Sequence, residues 1–285
     1  MHMKLLPALL AAALLSPSAR AETPEERGAY LVEGPAACGN CHSPIDQTGQ
    51  PLTGQNLAGR FVMETPEFTA YAPNLTPAGP VGTWSDAELA RAIREGIRPD
   101  GSVIGPPMPF SVYSGLSDGD VSAIVAYLRT LPAVENPVPL SQYNIPLPPA
   151  YGPPVGTVPE VPRGVTAEYG AYLAGPVAHC TDCHTTFGPK GPMLDTHLGR
   201  GGLRIDGPWG TSIASNITSH VDGLAGYTDA EVADMITLGK RPDGTAMLPP
   251  MPYSYLSRMT DDDLAAIILY LRTLPPLPDV PDVAG

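Results

Sequence analysis

Residues 38–42 read Cys-Gly-Asn-Cys-His, and residues 180–184 read Cys-Thr-Asp-Cys-His. These two pentapeptides contain all four cysteines of the 285-residue chain. Other segments recur at nearly the same offset: 27–31 with 169–173, 74–76 with 216–218, 98–101 with 241–244, 107–110 with 250–253 and 127–132 with 270–275. A period this long predicts two tandem copies of one domain, not a solenoid of short repeats.

The repeat divides the chain into a first repeat at residues 22–132 and a second repeat at residues 164–285. Residues 133–163 between them form a linker that is rich in proline. Because proline fixes φ and favours extended, semi-rigid spacers, we expect the linker to run along the surface and hold the repeats in a defined relation. A free tether is the alternative.

Residues 1–21 have the pattern of a secretory signal peptide. Lys4 supplies the positive charge, residues 5–15 are largely apolar, and Ala19-Arg20-Ala21 fits the small-x-small cleavage rule. The alternative is a membrane anchor, but a spanning helix needs about 20 apolar residues. We therefore expect export to the periplasm, with no transmembrane segment in the mature chain.

The composition restricts the possible partners. The net charge is −13, which argues against nucleic acid and against an anionic lipid surface. Proline (36 residues) and glycine (30) are abundant, yet 43% of residues are hydrophobic, enough to bury a core. Loop-rich globular domains are expected, and the acidic surface favours a protein partner with a basic patch.

The same helix signals occur in both repeats. Capping boxes, in which Ser or Thr precedes Glu by three residues, lie at 23–26, 85–88 and 228–231. Ser117 and Thr260 are typical N-caps. Each is followed by apolar residues at the spacing of one helix face: Val121, Ile124, Val125 and Leu128, then Leu264, Ile267, Ile268 and Leu271. No stretch shows sustained strand alternation, so the prediction is an all-α fold of short helices and long Gly/Pro-rich loops.

The Cys-x-x-Cys-His pattern is typical of c-type heme attachment. Two cysteines three positions apart lie about one helical turn apart on one face, so both sulfurs can form thioethers with one porphyrin. The next histidine then lies under the iron. The prediction is two covalent hemes c, held by Cys38 and Cys41 and by Cys180 and Cys183, with two axial histidines, His42 and His184.

Other uses of the cysteines fit less well. Thioredoxin-type motifs do not require the histidine, and a zinc ribbon spaces its cysteine pairs by about 15–20 residues. Disulfides are compatible with an exported protein, but every cysteine already lies in a complete heme motif.

Methionine is a common second axial ligand in cytochromes c. Met108 and Met251 are the methionines at matching positions of the two repeats, and prolines flank both. We expect them to be the second ligands. Met247 is a competitor of Met251, and His197 or His220 would give bis-His ligation of the second heme, but none of the three has a counterpart in the first repeat.

With these residues in place, each repeat resembles a class I cytochrome c domain: an N-terminal helix, the Cys-x-x-Cys-His motif, a methionine loop and a C-terminal helix that ends in Tyr-Leu-Arg-x-Leu-Pro. More narrowly, the chain resembles the cytochrome c subunits of bacterial periplasmic dehydrogenases of the alcohol and gluconate type. It departs from them in one respect, because those subunits commonly carry three hemes and a C-terminal membrane-binding segment.

The resemblance implies two tandem domains in which short helices surround a covalent heme. It also implies contacts to heme propionates, and the candidates are Asn74, Asn216, Arg60, Trp84, Tyr227 and Trp209. The expected function is a periplasmic diheme carrier, not an enzyme, that moves single electrons from a dehydrogenase to a terminal oxidase or another cytochrome. The alternatives are a peroxidase-like diheme enzyme and a tightly bound dehydrogenase subunit.

Overall fold

The computed structural model describes residues 21–47, 49–189 and 191–281. The predicted signal peptide, apart from Ala21, lies outside these residues. In the first repeat the α-helices are α1 (Pro24–Glu33), α2 (Cys38–His42), α3 (Asp86–Glu95), α4 (Phe110–Tyr113) and α5 (Asp118–Thr130). In the second they are α6 (Ala167–Tyr172), α7 (Cys180–Cys183), α8 (Leu194–His197), α9 (Asp229–Leu238), α10 (Tyr253–Leu256) and α11 (Asp261–Thr273). A 3-10 turn (Pro80–Thr83) precedes α3, and a π-helical turn (Leu173–Val177) follows α6.

The all-α expectation is wrong, because only 36% of the described residues are helical and several antiparallel sheets are present. β1 (Arg60–Glu64), β2 (Phe68–Ala72) and β3 (Gln142–Tyr143) form one sheet in that order. β4 (Phe187–Gly188) pairs with β5 (Gly191–Pro192), and β6 (Arg204–Gly207) pairs with β7 (Gly210–Ile213). No residue of β1, β6 or β7 is buried. Their ladder bonds therefore form without the hydrophobic alternation that marks a strand in sequence.

The predicted helix starts are confirmed. All three capping boxes form, and the Ser117 and Thr260 hydroxyls each accept a bond from the backbone N–H three residues on. The apolar face of α5 is buried, as is that of α11 except for the half-buried Leu264. Each cap satisfies a donor that the first turn leaves unpaired, typically for about 1 kcal/mol.

One glycine in each repeat lets its N-terminal and C-terminal helices cross closely. A Cβ at Gly28 on α1 would collide with the carbonyl of Ala123 on α5. At the matching position on α6, a Cβ at Gly170 would collide with the carbonyl of Ala266 on α11. These crossings hold together the helices that flank each Cys-x-x-Cys-His segment.

The two repeats face each other through reciprocal contacts. The Tyr30 hydroxyl of the first repeat donates to Asp263 of the second at 2.5 Å. The matching Tyr172 hydroxyl of the second repeat donates to Asp120 of the first at 2.7 Å. Asp120 also accepts a bidentate pair from Arg27, at 2.8 and 2.9 Å. Exchanged contacts of this kind relate the repeats by an approximate two-fold axis, and buried side chains from both join in one cluster.

The linker lies along the first repeat. Asn136 donates to the Ala58 and Gly59 carbonyls, both at 2.9 Å, and β3 adds to the edge of β2. Further along, the Tyr151 ring stacks on Phe110 with ring centroids 5.1 Å apart. Hydrogen bonds and ring contacts therefore fix the linker to this repeat over much of its length.

Candidate heme sites

The cysteine pairs lie on the short helices α2 and α7, each preceded by a residue in the left-handed conformation, Ala37 (φ 48°) or His179 (φ 45°). None of the four cysteines is in a disulfide. Among the residues the structure describes, no three His, Cys, Asp or Glu side chains cluster as a metal site.

Burial governs the electrostatics of these cysteines. It raises the pKa of Cys38 and of Cys183 to about 12 and that of Cys180 to about 11, and it also raises the pKa of Cys41. The charges of Asp182, Cys180 and Cys41 add to the effect on Cys183.

Both motif histidines are buried and anchored through the same ring nitrogen. Nδ1 of His42 lies 2.9 Å from the carbonyl of Pro73, and Nδ1 of His184 lies 2.7 Å from that of Ser215. Burial lowers the pKa of His42 to about 4 and also lowers that of His184. A neutral imidazole that donates through Nδ1 presents the lone pair of Nε2, which is the form that ligates a metal.

In the second repeat, Cys180, His184 and Met251 line one cavity of about 940 Å³ that opens to solvent. Most of its other walls are apolar, and they include Leu224, Ile236 and Leu271. A cysteine, a histidine and a methionine on the walls of one apolar cavity fit a covalent heme.

The residues that line the cavity also distinguish between the candidates for the second axial ligand. Met247 lines it together with Met251, so the structure brings both methionines to the site. His197 and His220 are not lining residues: Nδ1 of His197 lies 2.8 Å from the Thr196 hydroxyl, and that of His220 lies 3.2 Å from Asp222. The placement of the side chains favours a methionine as the second ligand.

A hydrogen bond holds each methionine loop at its proline pair. In the first repeat, the Tyr143 hydroxyl donates to the carbonyl of Pro106 at 3.1 Å, and Met108 packs partly buried against the core. In the second, the Ser212 hydroxyl donates to the carbonyl of Pro249. Sequence reasoning missed both donors, because Tyr143 lies in the linker and Ser212 lies in a strand that was not predicted.

Asn74 and Asn216 brace loops. In each, Oδ1 accepts from the backbone N–H and the hydroxyl of the threonine two residues on, at 2.7–2.9 Å. Nδ2 of Asn74 donates to the carbonyl of Val134, and that of Asn216 donates to the carbonyl of Leu277, both at 2.8 Å. The asparagines thereby fasten the loops after the histidines to the segments after α5 and α11.

Arg60 and Trp209 each carry a buried donor without a partner in the described structure, Arg60 Nε and Trp209 Nε1. Nη2 of Arg60 donates to the carbonyl of Asn40, within the heme-attachment motif, at 2.6 Å. Burial lowers the pKa of Arg60. Because a buried donor without a partner costs about 1–3 kcal/mol, a hydrogen bond from each of these atoms to an acceptor such as a propionate would stabilise the protein.

Trp84 and Tyr227 occupy matching positions and differ in exposure. Trp84 packs against the core, whereas Tyr227 is 37% exposed and lines the cavity. The carbonyls of both accept 2.6 Å bonds from an arginine of the C-terminal helix, Arg129 and Arg272 respectively. The signal for these arginines was present in the repeated Tyr-Leu-Arg-Thr-Leu-Pro segment.

Comparison with known proteins finds similarity to cytochromes c. The family model for cytochrome c matches residues 25–132. The chain is 30% identical over 93% of its length to the cytochrome c subunit of alcohol dehydrogenase (quinone) from Komagataeibacter europaeus, and it covers 60% of that protein. It is 30% identical over 87% of its length to the fructose dehydrogenase cytochrome subunit of Gluconobacter japonicus, and it covers 52% of that subunit.

A third relative is closer in length. The chain is 27% identical over 84% of its length to a diheme cytochrome c-type protein of Cereibacter sphaeroides, and it covers 82% of that protein. By contrast, it spans 60% or less of the two dehydrogenase subunits. Within the described ranges, none of the helices has both the length and the apolar character that a membrane span needs.

Proposed function

The chain belongs to the cytochrome c family through its domain at residues 25–132, and on this premise we propose that it is a diheme electron-transfer protein. The family implies covalent heme c. The proposal adds a second heme in the second repeat, which is outside the matched range. It also adds His42 with Met108 and His184 with Met251 as the axial ligands.

One observation carries the proposal: the second repeat reproduces the arrangement around the first histidine. His42 and His184 are both buried, and both contact through Nδ1 a carbonyl 31 residues further along the chain. That contact fixes the tautomer and the direction of Nε2. Heme supplies a reversible one-electron Fe(III)/Fe(II) couple. The carbonyl contacts would hold the two histidine ligands in place while the charge of the iron changes.

Contacts of each attachment segment with the other repeat support a relay within the chain. The Tyr113 ring of the first repeat packs edge-on against His179, 5.9 Å between centroids, and Ser111 donates to Asp182 at 3.1 Å. On the other side of the two-fold axis, the Tyr255 hydroxyl of the second repeat lies against Gly39 within the first motif. Electrons entering at one heme would therefore leave from the other without release of the protein.

The proposed donor is a dehydrogenase, and the proposed acceptor is a terminal oxidase or another cytochrome. The relatives named as cytochrome subunits of alcohol and fructose dehydrogenases support the donor. The proposed location is the periplasm, where c-type cytochromes meet such partners. With a net charge of −13, docking to a basic patch should weaken as salt increases.

An anaerobic spectroelectrochemical titration of the purified full chain tests this function. Two one-electron steps are expected, with low-spin heme in both oxidation states and no turnover of hydrogen peroxide. High-spin ferric heme together with peroxide turnover would show a diheme enzyme instead. A tightly bound dehydrogenase subunit is the second candidate, favoured by the names of the relatives, and stoichiometric copurification with a dehydrogenase would identify it.

A further inference from the structure

The two repeats expose the same helical face to different surroundings. In the first repeat, the linker crosses this face at the end where the C-terminus of α3 meets the N-terminus of α5. The backbone N–H of Val155 donates to Glu95 at 2.9 Å, and that of Asp118 donates to the carbonyl of Val158 at 2.9 Å. Glu160 then accepts from the backbone N–H of Gly119 at 2.8 Å. An extended, proline-containing segment therefore binds this end of the face in the first repeat.

In the second repeat, the matching face of α9 and α11 is an open groove of about 840 Å³. Its floor is apolar and consists of Val165, Ala233, Leu264, Ala265, Ile268 and Leu269. Val165 is 48% exposed and Leu269 41%. Asp261, which lines one end of the groove, matches Asp118, where the linker binds in the first repeat.

The charges around the open groove differ from those around the covered one. Asp262 occupies the position of Gly119, where a Cβ would collide with the carboxylate of Glu160. Asp261 lines the groove beside it, and Asp229 at the other end pairs with Arg272 at 2.9 Å. An acidic segment such as the linker would meet both steric and electrostatic repulsion, whereas a cationic segment would be attracted.

We propose that this groove, the α9–α11 groove, binds an extended, proline-containing segment of a partner protein that carries Lys or Arg at the end near Asp261 and Asp262. Apolar side chains of the segment lie on Leu264 and Leu269. The proposal names a docking site for the partner and rests on the proposed electron-transfer role for its biological meaning. The binding itself is independent of heme content and reduction rate.

The test uses two fluorescein-labelled peptides and fluorescence anisotropy on the purified full chain. One peptide has the linker sequence 153–162, and the other has the same sequence with Glu160→Lys. At low ionic strength, the Lys peptide is expected to bind about tenfold more tightly than the Glu peptide. The advantage should decrease as salt is added.

Three variants locate the binding. Leu269→Glu puts a charge on the apolar floor and should weaken the Lys peptide about tenfold, and Asp262→Asn should weaken it about threefold. Leu140→Glu, at a 78% exposed leucine of the linker, is the matched control and should change the affinity less than twofold. Unchanged visible spectra exclude misfolding.

Equal binding of the two peptides, no binding of either, or binding that Leu269→Glu leaves intact would each overturn the proposal. A failure of the redox titration with peptide binding retained would count against the electron-transfer role alone. The two failures are therefore distinguishable.

Discussion

Asp120→Asn tests the contact between the repeats most sharply. Asp120 and Arg27 are a buried ion pair, with side chains only 4% and 7% exposed. The carboxylate also accepts the Tyr172 hydroxyl from the other repeat. The substitution keeps the shape of the side chain but leaves the Arg27 guanidinium buried without a counter-charge.

Removing one member of a buried pair costs about 3–5 kcal/mol. The amide oxygen of Asn can still accept one bond from Arg27, so we expect the lower end, about 3 kcal/mol. For a chain of this size, that loss corresponds to a fall in Tm of about 6–12 °C. Thermal and urea unfolding of the holoprotein, followed by circular dichroism, would measure it.

The second repeat supplies a matched control. Asp263 occupies the position of Asp120 and accepts the Tyr30 hydroxyl, but Tyr169 stands where the first repeat has Arg27. Asp263→Asn therefore gives the Tyr30 hydroxyl a neutral acceptor in place of a charged one and leaves no buried cation. Its expected cost is less than the about 1.5–3 kcal/mol of a whole hydrogen bond to a charged group, and less than that of Asp120→Asn.

The difference between wild type and Asp120→Asn should depend on pH. Burial acts to raise the pKa of Asp120, but the hydrogen bond and charge of Arg27 outweigh it, so the folded pKa lies below its ordinary value. The ionised carboxylate thus stabilises the fold above about pH 4 and loses this effect as pH falls through the folded pKa. A difference that grows on acidification, or an Asp263→Asn variant less stable than Asp120→Asn, would refute the reasoning.

Three further predictions concern single features of the repeats. Gly28→Ala and Gly170→Ala should each cost about 1–3 kcal/mol in urea unfolding because a Cβ meets a helix carbonyl, whereas Gly226→Ala, with open space around it, should stay within about 0.5 kcal/mol. Met108→Ala and Met251→Ala should each turn one heme high-spin and lower its reduction potential, while Met247→Ala should leave the spectrum unchanged. A high-spin heme in Met247→Ala, with an unchanged spectrum in Met251→Ala, would assign Met247 as the axial ligand instead. Tyr143→Phe removes the bond to Pro106, about 1 kcal/mol, and should ease displacement of the axial methionine by imidazole at one heme only.

The sequence predicted the features that depend on local chemistry. The capping boxes and the N-caps Ser117 and Thr260 form as expected, because a side-chain oxygen next to unpaired N–H groups needs no distant partner. The amphipathic faces of α5 and α11 followed from the helical period alone. The Cys-x-x-Cys-His spacing likewise identified both motif histidines, which the structure places in buried, matching environments.

The parts that the sequence did not reveal depend on distant contacts. β3 forms only because the linker returns to the edge of β2, and the β6–β7 hairpin contains no buried residue. Asn216 lines the cavity, but the hydrogen bonds by which Asn74 and Asn216 hold backbone segments about 60 residues away had no signal in the sequence. The pairing of Tyr30 with Asp263 joins positions 233 residues apart, and no local pattern indicates such a contact.

The heme-to-protein ratio of the purified full chain tests the diheme proposal most directly. A pyridine hemochrome assay, with the protein quantified independently, should give two hemes per chain, and Cys180→Ala with Cys183→Ala should reduce the ratio to one. The matching pair Cys38→Ala with Cys41→Ala should also leave one. A ratio of one in the wild-type chain, with free thiols at Cys180 and Cys183, would contradict the second heme.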